Sequence, residues 1–398
     1  MTATSTVAEV DHLPPATTTE PVSARVFAPR CIVHVAENIK GGVGTYLRDL
    51  LDVQRRSFGP GVIIALVPAS QREILGYPPG VKIVTFDDSG HRLLNTWRLT
   101  LRMRALVSRE NPVVVHVHST FAGAALRPLL WAVRSSAAVI YCAHGWAFDR
   151  ETSRSSRLFA QGLERVLARW CDSVVCISEH EMRAAKRIGI SHQKLTQVSN
   201  GIPRESPRTK LAVARAEWPE GARRVLFVGR FDRQKGIDLL LDALAELGDT
   251  AFAYVVGDSV LGDARTYALP ANVRTTGWLS DAELEAFYQS ADVLVAPSRW
   301  EGFGLTAAEA MRASLPVIAS RVGGLQEVVE DGVTGLLLPP GEKNALVRAL
   351  RDTSDDRLAT MGRAGRQRFL RRFTLDRVHQ QLTELYQRCV SSKEAGSE

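Results

Sequence analysis

Short apolar runs rich in Val and Ile recur along the chain, each followed by a turn signal and a longer helical pattern, and past residue 200 the rhythm starts again. The first series has runs at 31–35, 62–66, 81–85, 113–118, 138–143 and 173–177. The second has them at 224–228, 253–256, 273–276, 293–296, 316–319 and 335–338. A strand that leads through a helix to the next strand returns in the same direction. Each series therefore predicts a mostly parallel, doubly wound α/β sheet of the Rossmann-like kind. A length of 398 residues accommodates two such domains. Between the series, Ser199, Asn200, Gly201, Ile202 and Pro203 and a polar stretch to Glu220 read as turn and linker. The expected organisation is a disordered tail over 1–28, a first domain over 29–203 and a second over 204–373. The amphipathic stretch 374–389, with Leu375, Val378, Leu382, Leu385 and Tyr386 at helical spacing, predicts a closing helix; it is assigned to 374–390, returning to the first domain.

Open parallel sheets bind ligands beyond the carboxyl ends of their strands. Two such sheets face to face make a cleft, and closure of the domains removes water from it. The motifs concentrate at those strand ends. After the run 293–296, a Pro-Ser turn leads through Glu301-Gly302-Phe303-Gly304-Leu305-Thr306 to an Ala-rich helix that carries Glu309. The glycines let the backbone approach a ligand, and free N–H groups from Phe303 to Thr306 suit phosphate oxygens. A carboxylate on the first turns of that helix can accept from a ribose diol. One carboxylate there is an ordinary helix-start acid; two bracketing a Gly-Phe-Gly loop point to a ligand.

The second motif, Gly229-Arg230-Phe231-Asp232-Arg233-Gln234-Lys235-Gly236, follows the first run of the second series. Arg230 as a planar fork and Lys235 as a point charge can converge on one diphosphate; a solvated basic loop is the plainer alternative. A third, Ile39-Lys40-Gly41-Gly42-Val43-Gly44-Thr45, precedes a helix expected over 46–53 and matches neither the Walker loop nor the dinucleotide fingerprint. The fourth, His144-Gly145-Trp146, ends the run 138–143, where a histidine can bond a substrate hydroxyl or stabilise charge. His116 and His118 share one strand face, but a metal needs a third ligand, and no candidate lies near them in sequence. No Asp-x-Asp is present to seat a divalent cation on a diphosphate.

Charge is unevenly placed. Residues 1–200 hold 24 basic and 16 acidic residues, and residues 201–398 hold 26 and 27, so the excess of +7 lies in the first half. With 42 Arg against 8 Lys, genome composition accounts for part of the bias; an anion-facing first half is the functional reading. The segment 91–110 sets Arg92, Arg98, Arg102, Arg104 and Arg109 beside Leu94, Trp97, Leu101 and Leu106, as in a helix that lies on an anionic membrane or packs on its own sheet. The five cysteines, scattered among apolar residues, read as buried thiols in a reducing compartment. No run of 18 apolar residues occurs, and the Thr-, Ala- and Pro-rich start lacks a signal-peptide core. The expected location is cytoplasmic, with peripheral attachment to the inner face of the membrane.

Together these motifs resemble the family-4 retaining glycosyltransferases, whose two Rossmann-like domains face across a cleft (the GT-B architecture). The resemblance spans about residues 30–390. It rests on E-x-F-G-x-x-x-x-E from Glu301 to Glu309, G-R-x-x-x-x-K-G from Gly229 to Gly236, the Gly41-Gly42 turn, His144-Gly145, Ser199-Asn200-Gly201, and Gly323-Gly324 with Glu327, Gly332 and Gly335. It implies a retaining, metal-independent hexosyltransferase with no cofactor and no nucleic-acid partner. A nucleotide-sugar donor, UDP-linked by family frequency, would be used with a glycan or lipid-linked acceptor in cell-surface polysaccharide biosynthesis. By resemblance, Arg230 and Lys235 bind the diphosphate, the backbone of Phe303, Gly304, Leu305 and Thr306 meets phosphate and sugar, and Glu309 holds the ribose. Glu301 contacts the sugar, His144 approaches sugar and phosphate from the first domain, and Gly42 caps the phosphate. The base lies near Gly257, Trp278 and Leu279. A nucleotide-sugar epimerase of the same architecture and a non-catalytic sugar-nucleotide-binding subunit are the alternatives; donor incubated without acceptor separates the epimerase, which isomerises it.

Overall fold

A computed structural model describes residues 27–76, 78–206, 217–258 and 268–396. The expected N-terminal tail, save residues 27 and 28, and part of the linker, 207–216, lie outside the described residues. Along the first half run β1 (Ile32–Ala36), α1 (Gly42–Phe58), β2 (Ile63–Pro68), β3 (Lys82–Phe86), α2 (Arg92–Glu110), β4 (Val114–His118) and α3 (Thr120–Ala132). Then come β5 (Ala138–Cys142), α4 (Arg154–Leu167), β6 (Ser173–Cys176), α5 (Glu179–Arg187) and β7 (Leu195–Gln197). All pairings are parallel, in the order β3-β2-β1-β4-β5-β6-β7. The edge strand β7 was not expected: three residues without a Val/Ile run carry no sequence signal.

The second half contains β8 (Arg223–Val228), α6 (Ile237–Leu247), β9 (Ala251–Val256), β10 (Val273–Gly277), α7 (Asp281–Ser290), β11 (Val293–Ala296) and α8 (Leu305–Arg312). They are followed by β12 (Val317–Ser320), α9 (Leu325–Val328), β13 (Gly335–Leu338), α10 (Lys343–Asp352), α11 (Asp355–Arg372) and α12 (Leu375–Ala395). This sheet is also parallel, in the order β10-β9-β8-β11-β12-β13. Both sheets are buried on two faces, as their unbroken apolar runs require. In the first, Ile32 and Ala36 of β1 face α1 and α12, while Val33 and Val35 join Leu99 and Met103 of α2 in a separate core.

The chain crosses between the sheets twice, side by side. The Ile202 N–H donates to Phe373 O at 3.0 Å, and the Leu375 N–H donates to Ile202 O at 2.8 Å. A Cβ on Gly201 would lie 2.8 Å from the carbonyl oxygens of Phe373 and Thr374, so only glycine lets the two crossings touch. Beyond them α12 packs on the first sheet: the Tyr386 hydroxyl and His116 Nδ1 share a 2.6 Å hydrogen bond, and Lys393 Nζ donates to Ala137 O at 2.6 Å.

Two sequence expectations change. The helix after the first glycine turn begins at Gly42, not residue 46, and Gly44 lies inside it, where a Cβ would meet Ile39 O at 2.2 Å. Helix α2 buries Leu99, Met103 and Leu106, whereas Trp97 and Leu101 are 58 % and 47 % exposed and align with the exposed Leu93. The helix carries two apolar stripes, and periodicity does not say which one the sheet covers.

Candidate active site

The turns at the carboxyl ends of the first sheet meet the loop that follows β11. A Cβ on Gly42 would stand 3.2 Å from Leu305 Cδ1, and one on Gly302 would stand 3.4 Å from Gly145 Cα. The starts of α1 and α8 thus approach each other across the seam. Ion pairs Arg48–Asp281 (2.8 Å) and Arg233–Glu151 (2.7 Å) join the domains, and Glu327 Oε1 accepts from the His180 N–H at 2.9 Å.

On the second domain the two predicted loops are bound together. Arg299 grips Asp238 through two bonds of 2.8 and 2.7 Å, and its N–H donates to Gln234 O at 2.8 Å. Gly236, at φ +68°, lies so close to Pro297 that a Cβ would meet Pro297 O at 2.1 Å. Within this clamp Lys235 Nζ stands 2.5 Å from Glu301 Oε2. Arg230 Nη2 donates to Gln234 Oε1 at 2.7 Å and lies 3.1 Å from Asp232 Oδ2. The structure therefore brings Arg230, Lys235 and Glu301 into one cluster.

Gly304, at φ +99°, precedes α8, whose start stands at the seam against Gly42; a Cβ on Gly304 would meet Leu325 Cδ2 at 2.6 Å. Phe303 is buried on Phe373, and Leu305 and Thr306 open the helix, half-buried. Glu309 sits one turn later. Burial raises its carboxyl above the ordinary range, and the Tyr288 hydroxyl, donating to Oε2 at 2.7 Å, works the other way. Gly257 and Gly277 bring the ends of β9 and β10 together through a 2.9 Å N–H to carbonyl bond. Beside them Trp278 is 54 % exposed and Leu279 half-buried.

His144, two residues past β5, lies in the left-handed region, at φ +54°, a conformation that costs a non-glycine residue about 1 kcal/mol or more. It stands at the head of a hydrogen-bonded chain. His144 Nε2 is 2.8 Å from His118 Nδ1, His118 Nε2 is 3.0 Å from His34 Nδ1, and His34 Nε2 is 2.7 Å from Gln54 Oε1. With the Gln54 amide in this orientation its oxygen only accepts, and His34 then carries its proton on Nε2. In neutral rings that order repeats outward, and His144 is left with a lone pair at Nδ1. Burial supports neutrality: His34 and His144 are lowered to about 4, and His116 and His118 also fall well below the ordinary value.

His34 is the third imidazole that spacing did not reveal near His116 and His118. Parallel register sets it opposite His116, and nitrogens of the three lie within 4.8 Å of one another. Two of the three rings already share the bond between His34 and His118. Acid stability follows from the burial. An unfolded histidine binds a proton below about 6.5, which these folded rings refuse until about 4 for His34 and His144. Their contribution is present above 6.5 and lost as pH falls toward 4. Melting temperature should be level from pH 7 to 8 and drop steeply below 6; a level profile down to pH 5 contradicts neutral burial.

Sequence reasoning missed His34, Gln54, Tyr288 and the seam role of Glu327. Only the His-x-His alternation of β4 hinted at the chain.

Comparisons with known proteins agree with the architecture. Residues 210–368 match the family Glycosyl transferases group 1, and residues 40–206 match Glycosyltransferase Family 4. An uncharacterised 41.2 kDa protein of the cps region of Klebsiella pneumoniae is 31 % identical over 326 residues, covering 80 % of this chain and 88 % of that protein. The UDP-Gal:α-D-GlcNAc-diphosphoundecaprenol α-1,3-galactosyltransferase of Escherichia coli is 24 % identical, over 76 % of this chain and 82 % of its own. HepE of Anabaena, solved with UDP-glucose, superimposes with a TM-score of 0.73 at 21 % identity, covering 89 % of this chain and 98 % of its own. With both sheets, both family matches and a full-length relative in agreement, the chain belongs to the group 1, family 4 glycosyltransferases.

Proposed function

We propose that the protein transfers a hexosyl group, with retention, from a UDP-hexose to a lipid-linked or glycan acceptor in cell-surface polysaccharide synthesis. The cluster of Lys235, Glu301 and Arg230 opposite the start of α8 is the observation that carries this reading. Departure of UDP places charge on its β-phosphate. Arg230, Lys235 and the N–H groups of Phe303 to Thr306 are donors fixed before the reaction, and such donors stabilise developing charge without reorganisation. The acids nearest the diphosphate position are committed, Glu301 to Lys235 and Asp232 to Arg230, which supports a metal-independent reaction. Glu309 takes the ribose with the oxygen that Tyr288 leaves free, Gly257, Trp278 and Leu279 border the base, and Gly42 caps the phosphate. His144, neutral with its lone pair at Nδ1, accepts from a sugar hydroxyl, and Glu301 holds another.

A UDP donor and a diphospholipid acceptor are named for the Escherichia coli relative, and HepE holds UDP-glucose. Both support the donor class proposed for this chain. No helix among the described residues is long and apolar enough to cross a membrane. Attachment to the inner membrane face through the exposed Leu93, Trp97 and Leu101, flanked by arginines of α2, is part of this reading. UDP-hexoses should raise the melting temperature in a nucleotide-sugar panel, and the product, formed in excess EDTA, should be the α-anomer by NMR. A β-linked product refutes retention; donor isomerised without acceptor shows the epimerase instead. The same protein should pellet with anionic but not neutral vesicles; pelleting with neither removes the membrane part.

A further inference from the structure

The proposed donor site uses none of the residues around a cavity of about 590 Å³ on the first domain. It lies between the turn Ala147–Asp149, α4 and α5, and its walls include Phe148, Asp149, Leu158, Arg157, Arg165 and Arg187. The three arginines are exposed, and among the described residues no ion pair or side-chain hydrogen bond is made by any of their guanidinium groups. The acids around them are engaged elsewhere. Glu164 pairs with the buried Arg127 at 2.7 Å, Glu179 with Arg183 at 3.5 Å, and Glu151 with Arg233. Asp149, on the wall itself, is 3.0 Å from His180 Nε2, and Glu181 is buried and accepts from the Ile177 N–H. Three free guanidinium groups against one occupied carboxylate give the cavity a positively charged lining, and each can grip a phosphate as a fork.

Two further observations narrow the anion. Helix α4 turns Leu158 and Phe159 outward, 58 % and 73 % exposed. Apolar side chains beside a cationic cavity match an amphiphile and have no use for a free inorganic anion. The inner wall also abuts the seam. Glu151, two residues past Asp149, reaches Arg233 of the donor loop, and the His180 N–H reaches Glu327. An anionic group in the cavity therefore lies beside the cleft into which the sugar that it carries would extend.

We propose that this cavity binds the diphosphate of a prenyl-diphosphate-linked acceptor, with Arg157, Arg165 and Arg187 on the phosphates and the hydrocarbon chain over Leu158 and Phe159. The inference rests on the reading that the protein glycosylates a lipid-linked acceptor. Its test measures binding directly, so that the two can fail separately.

Titration calorimetry of the full chain uses geranylgeranyl diphosphate, inorganic pyrophosphate and geranylgeraniol as probes. The diphosphate lipid should bind at least about tenfold more tightly than either part. Arg157→Glu with Arg165→Glu should weaken it by about tenfold or more, since charge-assisted bonds are lost and repulsion is added. Leu158→Ser with Phe159→Ser should weaken the lipid but leave pyrophosphate unchanged. All four side chains are exposed, and an unaltered UDP-hexose melting shift in each variant confirms an intact donor side. No binding of the lipid, or equal affinity for pyrophosphate, overturns the inference. Transfer to a prenyl-linked acceptor with an unchanged acceptor KM in the arginine variant overturns it while the functional reading stands. Lipid binding lost in the variants of a protein that transfers no sugar keeps the cavity as a prenyl-diphosphate site and removes its acceptor role together with the functional reading.

Discussion

Replacing Lys235 by Ala should lower kcat about 100- to 1000-fold, the usual loss when one preorganised donor to a developing oxyanion is removed, with circular dichroism and melting temperature close to those of the parent. Arg230→Ala should behave alike. Lys235 is held 2.5 Å from Glu301, on a loop that Arg299 ties to the neighbouring one through Asp238. Its ammonium is fixed before the leaving group departs, so its contribution falls on the transition state more than on donor binding, and kcat should fall more than donor KM rises. Alanine also leaves Glu301 without its cation, which repels a diphosphate. The double variant Lys235→Ala/Glu301→Gln separates the terms: relief of repulsion restores donor KM but not kcat. Near-normal turnover in Lys235→Ala removes the donor-site assignment.

The largest stability loss should come from a residue outside the cleft. Arg127 of α3 is fully buried, donates to Glu164 Oε2 of α4 at 2.7 Å and to Gly123 O at 2.8 Å, and lies 3.8 Å above the Tyr141 ring. The Tyr141 hydroxyl donates to the other Glu164 oxygen at 2.8 Å. Arg127→Ala leaves a buried carboxylate without its cation, which costs about 3–5 kcal/mol, and urea unfolding should show it as a lower midpoint. Adding Glu164→Gln should recover part of that loss, because the stranded charge is then gone. A single variant within 1 kcal/mol of the parent, about the worth of an exposed pair, contradicts a buried ion pair. The same contact holds α4 against the sheet, so it also supports the arginine-lined cavity.

Much of the proposed donor side was readable in the order of residues, because its signals are local. Glycine where a backbone turns back, an acid one helical turn beyond it and a strand just before it all fall within a dozen positions, as at Glu301 to Glu309. What the residues do to one another was not readable. Lys235 and Glu301 are 66 positions apart, and nothing in either loop says that they touch. The histidines show the same limit more sharply. His34 lies on β1, His118 ends β4 and His144 follows β5 by two residues; the parallel pairing of these three strands brings them side by side, and that pairing is set by how whole strands pack. In α2 the sequence points to Leu94, Trp97, Leu101 and Leu106 as one apolar face, but burial of Leu99, Met103 and Leu106 shows that Trp97 and Leu101 are turned outward.

Alternating apolar runs and helical patterns dictate two parallel sheets, since burial on both faces and right-handed crossovers leave few other arrangements. The glycine-rich strand ends dictate where ligands can approach. Folding in three dimensions settles which charges meet, which imidazole nitrogen is left bare, and where, among the described residues, three arginine side chains remain without partners. Those outcomes depend on contacts between segments up to hundreds of positions apart, such as Tyr386 with His116, 270 positions away. Electrostatic strength and proton position follow from distance and desolvation, and neither quantity exists until the chain has packed.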